Sequence, residues 1–239
     1  MLFRSLTGIE LKDVAANQVI ATTATKISDT SVKLVITDGT AIDVTKQYTV
    51  SAPSFKASNV LMRKILDDDA YYYSGDDLGM TYSSSSSTFK LWAPTATKVE
   101  VVLYDNAVTE TGVTHAMTRQ SAGVWTVNLA GNLAGKFYTY TVYFADGSVN
   151  KDAMDPYAKS ASVNGKKAAI INLNATNPAG FYSNSGPAVA SSADAIVYEI
   201  HVRDMSIDPN APFVNKGKYL AFTERGLTLN GEPVGIDHL

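Results

Sequence analysis

No cysteine occurs among the 239 residues, which excludes both a disulfide framework and a thiolate metal site. Histidine is nearly as scarce: the three, His115, His201 and His238, lie too far apart to offer metal-ligand spacing, and no metal or other cofactor is expected. No apolar run approaches the ~18 residues that a membrane helix needs. Met1–Leu6 is too short for the apolar core of a signal peptide, and Glu10, Lys12 and Asp13 break up the next stretch. Charge is sparse at 18% of residues and nearly balanced, with a net charge of −3 and a pI of about 5.6. Without a basic block there is no electrostatic footprint for nucleic acid or anionic lipid, so neither is expected as a partner. The composition reads as that of a soluble protein and leaves the compartment, cytoplasmic or extracellular, open.

What the chain has in quantity is the pattern of short strands. Ser31–Thr37 places Val32, Leu34 and Ile36 on one face, and Asp38-Gly39 signals a turn from which Ile42 and Val44 start the return. Ile27–Thr30 reads as a turn, and Tyr48-Thr49-Val50 as another strand, closed by Pro53. Strands at this spacing predict a small antiparallel sandwich over residues 1–66. The acidic triplet Asp67-Asp68-Asp69 could supply hard oxygen ligands to calcium, but its spacing matches no calcium loop, and it reads as a solvated linker.

A second set of strands comes next. Five serines, Ser83–Ser87, sit between strand-like runs as an exposed hairpin loop. Val99, Val101 and Leu103 share one face of 98–104, Val124–Leu129 alternates in the same way, and Asp146-Gly147 turns back the aromatic run Phe137–Phe144. With Ala168–Leu173 as the last strand, residues 69–183 form a second antiparallel sandwich. Residues 174–193, rich in Asn, Ser, Ala, Pro and Gly, read as a connection, within which Phe181-Tyr182 is expected to pack on a neighbouring domain.

The most informative run is Ala195–Ser206. Apolar residues at 195, 196, 197, 200 and 202 predict a short, largely buried strand of the parallel-sheet type. A strand opening a β/α unit cannot cover its own faces, so the sequence reads as the front of a longer protein.

Several segments carry a resemblance. Tyr198-Glu199-Ile200-His201-Val202-Arg203-Asp204-Met205-Ser206, then Asp208-Pro209, Gly217–Glu224, Asn230-Gly231 and Gly235–Leu239, resemble the opening of the catalytic barrel of type I pullulanases. These are α-1,6-cleaving debranching enzymes of the α-amylase superfamily (glycoside hydrolase family 13). Leu78–Tyr82, Phe89–Pro94, Gly123-Val124-Trp125 and Asp155–Ala158 resemble the carbohydrate-binding module of family 48 that precedes that barrel. Residues 1–66 are more loosely similar to the extra domain that pullulanases carry ahead of it. The resemblance implies a mostly β chain: two tandem antiparallel Ig-like β-sandwiches (1–66 and 69–183), then the first β/α unit of a truncated TIM barrel over 194–239. It implies α-glucans such as pullulan, starch and glycogen as partners of the intact enzyme, together with the remainder of the barrel.

Glycoside hydrolysis needs two carboxyl groups flanking the scissile bond. In the family resembled, an Asp nucleophile, a Glu acid/base and a stabilising Asp lie on later barrel strands, and no matching motif occurs before Leu239. No catalytic residue is therefore expected in this chain, and the chain alone is expected to be inactive. Glu199 and Asp204 stand an odd number of residues apart on the predicted strand and would point to opposite faces. Glu199, His201 and Arg203 share a face, and together with Asp204 they read as a polar network at the barrel rim rather than as active-site groups. Trp92, Trp125, Tyr138 and Tyr140 are the candidates for stacking on glucose rings, although alternating strand positions also suit a core. Glycogen-binding members of family 48 carry a tryptophan after an Asn-Asn pair and another beyond the Asp-Gly turn. Here those places hold Tyr104-Asp105-Asn106 and Ser148-Val149, so docking on the barrel is expected ahead of independent glucan binding, and a free-standing glucan-binding or structural module is the alternative.

Overall fold

The computed structural model describes residues 6–186 and 188–239 and divides into two compact units, one ending at Asn177 and the other running from Pro178 to Leu239. The reading of Met1–Leu6 as too short for a signal core falls almost wholly outside the described residues. Among the described residues strands outnumber helical segments, all pairings are antiparallel, and every helical segment is a 3₁₀ turn of three to five residues. Among the described residues no helix is long and apolar enough to cross a membrane.

The first unit begins with six strands: β1 (Glu10–Asp13), β2 (Gln18–Ile20), β3 (Thr22–Ser28), β4 (Ser31–Ile36), β5 (Tyr48–Ser51) and β6 (Ser58–Asn59). They form a sheet in the order β2-β1-β5-β6 and a separate β3-β4 hairpin. Leu11, Ile20 and Tyr48 are buried between them, with Leu34 and Ile36 packed alongside, so the predicted apolar face of β4 is the one that meets the core. The return strand expected at Ile42–Val44 does not form. Asp38 accepts from the amides of Ala21 and Thr40, which turns the chain aside, and β4 pairs instead with β3.

Nine strands come after these: β7 (Gly79–Tyr82), β8 (Ser86–Trp92), β9 (Lys98–Tyr104), β10 (Val113–Ala116), β11 (Thr118–Arg119), β12 (Val124–Ala130), β13 (Phe137–Tyr143), β14 (Val149–Ala153) and β15 (Ala168–Ala169). One sheet runs β10-β9-β13-β14, with β15 also on β13, and the other runs β11-β12-β8-β7. Both contribute to one core: Phe89, Leu91 and Trp125 from the second sheet and Val99, Val101, Tyr138, Tyr140 and Val142 from the first. Alternation explains the assignment, because in β8 Ser87, Phe89 and Leu91 point inward while Thr88, Lys90 and Trp92 point to solvent. The serine run is a shorter loop than its composition suggests. Ser83–Ser85 turn the chain, with the Ser83 hydroxyl capping the Ser86 amide at 3.0 Å, and Ser86 and Ser87 already belong to β8. The strand expected over Ala168–Leu173 pairs only at Ala168–Ala169.

The second unit is built from turns, 3₁₀ segments and one short hairpin, β16 (Thr228–Leu229) with β17 (Glu232–Pro233). Among its described residues Ser206, Phe213 and Ala221 are buried. Lys216 Nζ donates to the carbonyls of Asp208, Pro209 and Ala211 at 2.6 to 2.8 Å, and Glu224 accepts from the amides of Val214 and Asn215. Charge-to-backbone bonds thus do much of the bracing that a larger core would supply. The strand predicted at 195–202 is not present. No strand of this unit pairs with it, its backbone is irregular, and Ile196 and Val197 are 87% and 84% exposed. An apolar strand of the parallel-sheet type gains only when neighbours cover both faces and satisfy its amides, and none does so here.

Candidate functional site

The four aromatic candidates separate by the face of the strand they occupy. Trp125, Tyr138 and Tyr140 point inward and are 6%, 1% and 1% exposed, which corrects their reading as sugar-stacking residues: their rings are core. Phe89 meets Tyr138 edge to face at 4.9 Å, and Tyr138 meets Tyr140 in the same way at 5.7 Å. Their hydroxyls converge on Asp155, which accepts from Tyr138 Oη at 2.6 Å and from Tyr140 Oη at 3.5 Å. Burial chiefly, with the Asp155 carboxylate beside them, pushes both phenols well above the ordinary range, so they remain hydrogen-bond donors. Trp92, one register position beyond the core residues of β8, is 37% exposed. Its indole N–H is shared between the carbonyls of Tyr71 and Ala122 at 3.0 and 2.9 Å, which fixes the ring on the solvent side of the sheet.

The polar quartet of the tail does not form the buried network that the sequence suggests. Glu199 is exposed, and His201, Arg203 and Asp204 have side chains 70%, 66% and 65% exposed. His201 Nδ1 and Arg203 each approach Asp204 at 3.5 Å. These are loose surface contacts of a turn, since the strand that would have aligned the group is not formed.

A cavity of about 620 Å³ is the feature that sequence reasoning missed. It is lined by Tyr104, Glu110, Thr139, Asp152 and the turn Asn164–Lys167. Tyr104 and Thr139 come from adjacent strands on the face of the first sheet opposite the core, and their hydroxyls lie 3.1 Å apart. Tyr104 Oη also donates to Asp152 Oδ1 at 3.1 Å. Burial, opposed by the Thr139 hydrogen bond and reinforced by the Asp152 carboxylate, holds the Tyr104 phenol above its usual range. Lys167 Nζ lies 4.4 Å from the centroid of the Tyr104 ring and donates to the carbonyls of Ala107 and Thr109, stitching the 105–110 loop to the cavity wall. Asp152 and Asn164 both adopt positive φ, 55° and 61°, the left-handed conformation that Asn and Asp tolerate best among residues with a side chain. The cavity offers carboxylate and hydroxyl acceptors beside ammonium and hydroxyl donors, a set suited to a polar, hydroxylated ligand rather than to an apolar one. Because Lys167 already occupies the Tyr104 ring, ligand contacts there would be hydrogen bonds and not stacking. The sequence signals that could have found it are the Asn164-Gly165 turn and the tyrosine of Tyr104-Asp105-Asn106, read together.

Comparison with known proteins places this geometry. The family model for carbohydrate-binding module 48 (isoamylase N-terminal domain) matches residues 77–158, which contain β7 to β14 and Asp155. The pullulanase of Bacillus subtilis is 36% identical over 183 residues, 75% of this chain and 24% of that protein. The solved structure of the pullulanase from Bacillus acidopullulyticus superposes with a TM-score of 0.80 at 37% identity, over 93% of this chain and 28% of that one. The pullulanase from Paenibacillus barengoltzii, solved in complex with maltohexaose and α-cyclodextrin, has 43% identity and a TM-score of 0.69 over 76% of this chain and 28% of that one. The chain spans about a quarter of the length of these relatives. The core shared by two antiparallel sheets lies in the stretch matched by the family model, so residues 77–158 are a family 48 carbohydrate-binding module within a chain that is similar, over most of its length, to part of the pullulanases.

Proposed function

We propose that this chain supplies the modules that lead into the catalytic barrel of a starch- and glycogen-debranching glycoside hydrolase of the type I pullulanase kind. On this reading residues 1–66 and 69–183 are two Ig-like β-sandwiches, and 194–239 are the beginning of the barrel. The intact enzyme hydrolyses α-1,6-glucosidic bonds in pullulan and branched α-glucans with retention of configuration. The observation that carries it is the exposed apolar run at Ile196 and Val197, joined to a likeness that covers 93% of this chain but 28% of a solved pullulanase. A barrel strand brought to its neighbours would bury that run. Burying two such side chains contributes on the order of 3–6 kcal/mol, which favours docking over solvation. Glu199, His201, Arg203 and Asp204 would then be ordered at the rim by their neighbours, and the reacting carboxylates would come from other strands. The chain by itself is expected to release no reducing sugar from pullulan. Turnover above background by the purified 239-residue protein would refute this division of labour.

A second reading, a glucan-binding module acting without hydrolysis, is favoured by the polar cavity beside Tyr104 and Asp152. It is measured separately, by retardation of the chain in native gels containing glycogen. An Asp152→Ala protein that migrates like the parent would count against the cavity as the binding place.

A further inference from the structure

We propose that the solvent face of the β11-β12-β8-β7 sheet, beside Trp92, is a second α-glucan site, separate from the Tyr104 cavity. This rests on the reading that α-glucan is the polymer the protein meets. The face is built by register. Thr81, Thr88 and Asn128 stand opposite one another in one cross-strand row, and Lys90 and Thr126 stand in the next. Alternation that buries Phe89 and Leu91 turns all of these outward. Neighbouring strands lie about 4.8 Å apart, so the rows make a closely spaced array of short hydroxyl and amide side chains. Asn128 Nδ2 donates to Thr88 Oγ1 at 2.7 Å, which holds that row in one arrangement before any ligand arrives.

Charge selects the ligand class. The ammonium of Lys90 is paired with the Asp77 carboxylate, and Tyr73 donates to the same carboxylate, so the face carries no net charge. An anionic polymer or headgroup would find nothing to neutralise it, whereas a neutral polyol loses nothing by that pairing. Protein-binding faces concentrate apolar, aromatic and arginine side chains at their centre. This one presents Trp92 at its end, the half-buried Tyr73 phenol over Lys90, and hydroxyl or amide side chains elsewhere. Trp92 is more than a third exposed and is locked by the carbonyls of Tyr71 and Ala122. A fixed indole offers a flat surface to the C–H face of a glucose ring at little cost in conformational entropy. Hydroxyls spaced along the sheet then exchange hydrogen bonds with those of the next sugars.

The test uses the whole 239-residue chain, glycogen-containing native gels and maltohexaose as the soluble probe. Trp92→Ala and, independently, Asn128→Arg are expected to weaken glycogen retardation about tenfold. The arginine variant guards against a folding effect of removing the indole. Its far-UV circular dichroism and melting temperature should match the parent, because position 128 is exposed. Asp152→Ala should leave the maltohexaose-induced change in Trp92 fluorescence in place. If Trp92→Ala and Asn128→Arg bind as the parent does and only Asp152→Ala loses retardation, the sheet-face site is overturned while the α-glucan reading stands. No retardation of the parent chain at all also overturns it, and pullulan hydrolysis by the intact enzyme then measures the functional reading on its own. An Asn128→Arg protein with altered sedimentation but unchanged glucan affinity would mark the face as a protein interface and likewise overturn the proposal.

Discussion

Tyr138 Oη donates to Asp155 Oδ2 at 2.6 Å inside the core, joining the start of β13 to the Asp155–Ala158 turn beyond β14. The carboxylate is 2% exposed and its other oxygen accepts from the Tyr157 amide at 2.9 Å. Gly79 adopts φ +94° close by, and a Cβ there would stand 2.7 Å from the Tyr157 Cβ. A polar bond therefore fixes where the turn meets β7, at a place where apolar packing alone would allow slippage.

Asp155→Ala should be among the most destabilising substitutions in the first unit. It would leave the Tyr138 and Tyr140 hydroxyls buried with no acceptor, and each such orphan costs about 1–3 kcal/mol. A loss of about 3 kcal/mol is expected, read as a lower denaturation midpoint with an unchanged slope. Tyr138→Phe, which removes the donor and leaves no orphan hydroxyl, should cost less than Asp155→Ala. Equal or greater loss would show that ring packing and not the bond is what matters.

Acid should weaken the tie that holds the 71–77 segment on β8. The hydrogen bond from Lys90, then that from Tyr73, holds the Asp77 carboxyl below the usual carboxylate range. A group whose folded pKa is depressed stabilises fully above its unfolded value of about 3.9 and loses that contribution as pH falls through the folded value. The Asp77 side chain is 43% exposed, so screening keeps the effect at or below about 1 kcal/mol. The melting-temperature gap between the parent and Asp77→Asn should therefore be constant from pH 7 to 5 and close below pH 4. Lys90, raised by the same bonds, adds stability that is lost only above its unfolded pKa of about 10.4.

Much of this arrangement was readable in advance, and the failures have definite causes. Strands β9 and β12 alternate because one face is core and the other solvent, so Val99 and Val101 announced their burial. Strand β3, Thr-Thr-Ala-Thr-Lys-Ile-Ser, is mostly solvated, with no buried residue, and so leaves no period-2 apolar signal; its partnership with β4 was invisible. The Trp125, Tyr138 and Tyr140 rings were ambiguous because aromatic alternation looks the same in a core and on a binding face. The cavity gathers Tyr104, Thr139, Asp152 and Lys167, which only the sheet register and two left-handed residues bring together. The strand expected in the tail is not formed, because an apolar pattern does not supply the partner strands that make such a run fold.

Removing the Lys216 ammonium should loosen the 207–217 loop of the second unit. Lys216 serves three carbonyls at once, and the Lys216→Met protein keeps the aliphatic stem while losing every donor. Charge-assisted bonds of this kind contribute about 1.5–3 kcal/mol in total once their exchange with water is counted. Limited proteolysis should cut between residues 207 and 217 about tenfold faster in the variant, while the first unit melts as in the parent. Parental resistance to cleavage would place the bracing in Phe213 and Ala221 instead.

The apolar run of the tail should govern the chain's solution behaviour. Ile196, Val197 and Tyr198 are 87%, 84% and 62% exposed in a segment that makes no strand pairing, so its amides and its apolar side chains are available together. That combination invites intermolecular pairing, and a charge within it is the standard remedy. Ile196→Asp with Val197→Asp should lower concentration-dependent light scattering several-fold and leave the melting temperature unchanged, because neither side chain is packed in this structure. Amides from Ile196 to Ile200 should exchange quickly in dilute parent protein and slow only as concentration rises. Slow exchange at every concentration would mean that this run is already paired within one molecule, and the docking of the tail onto further barrel strands would then lose its physical basis.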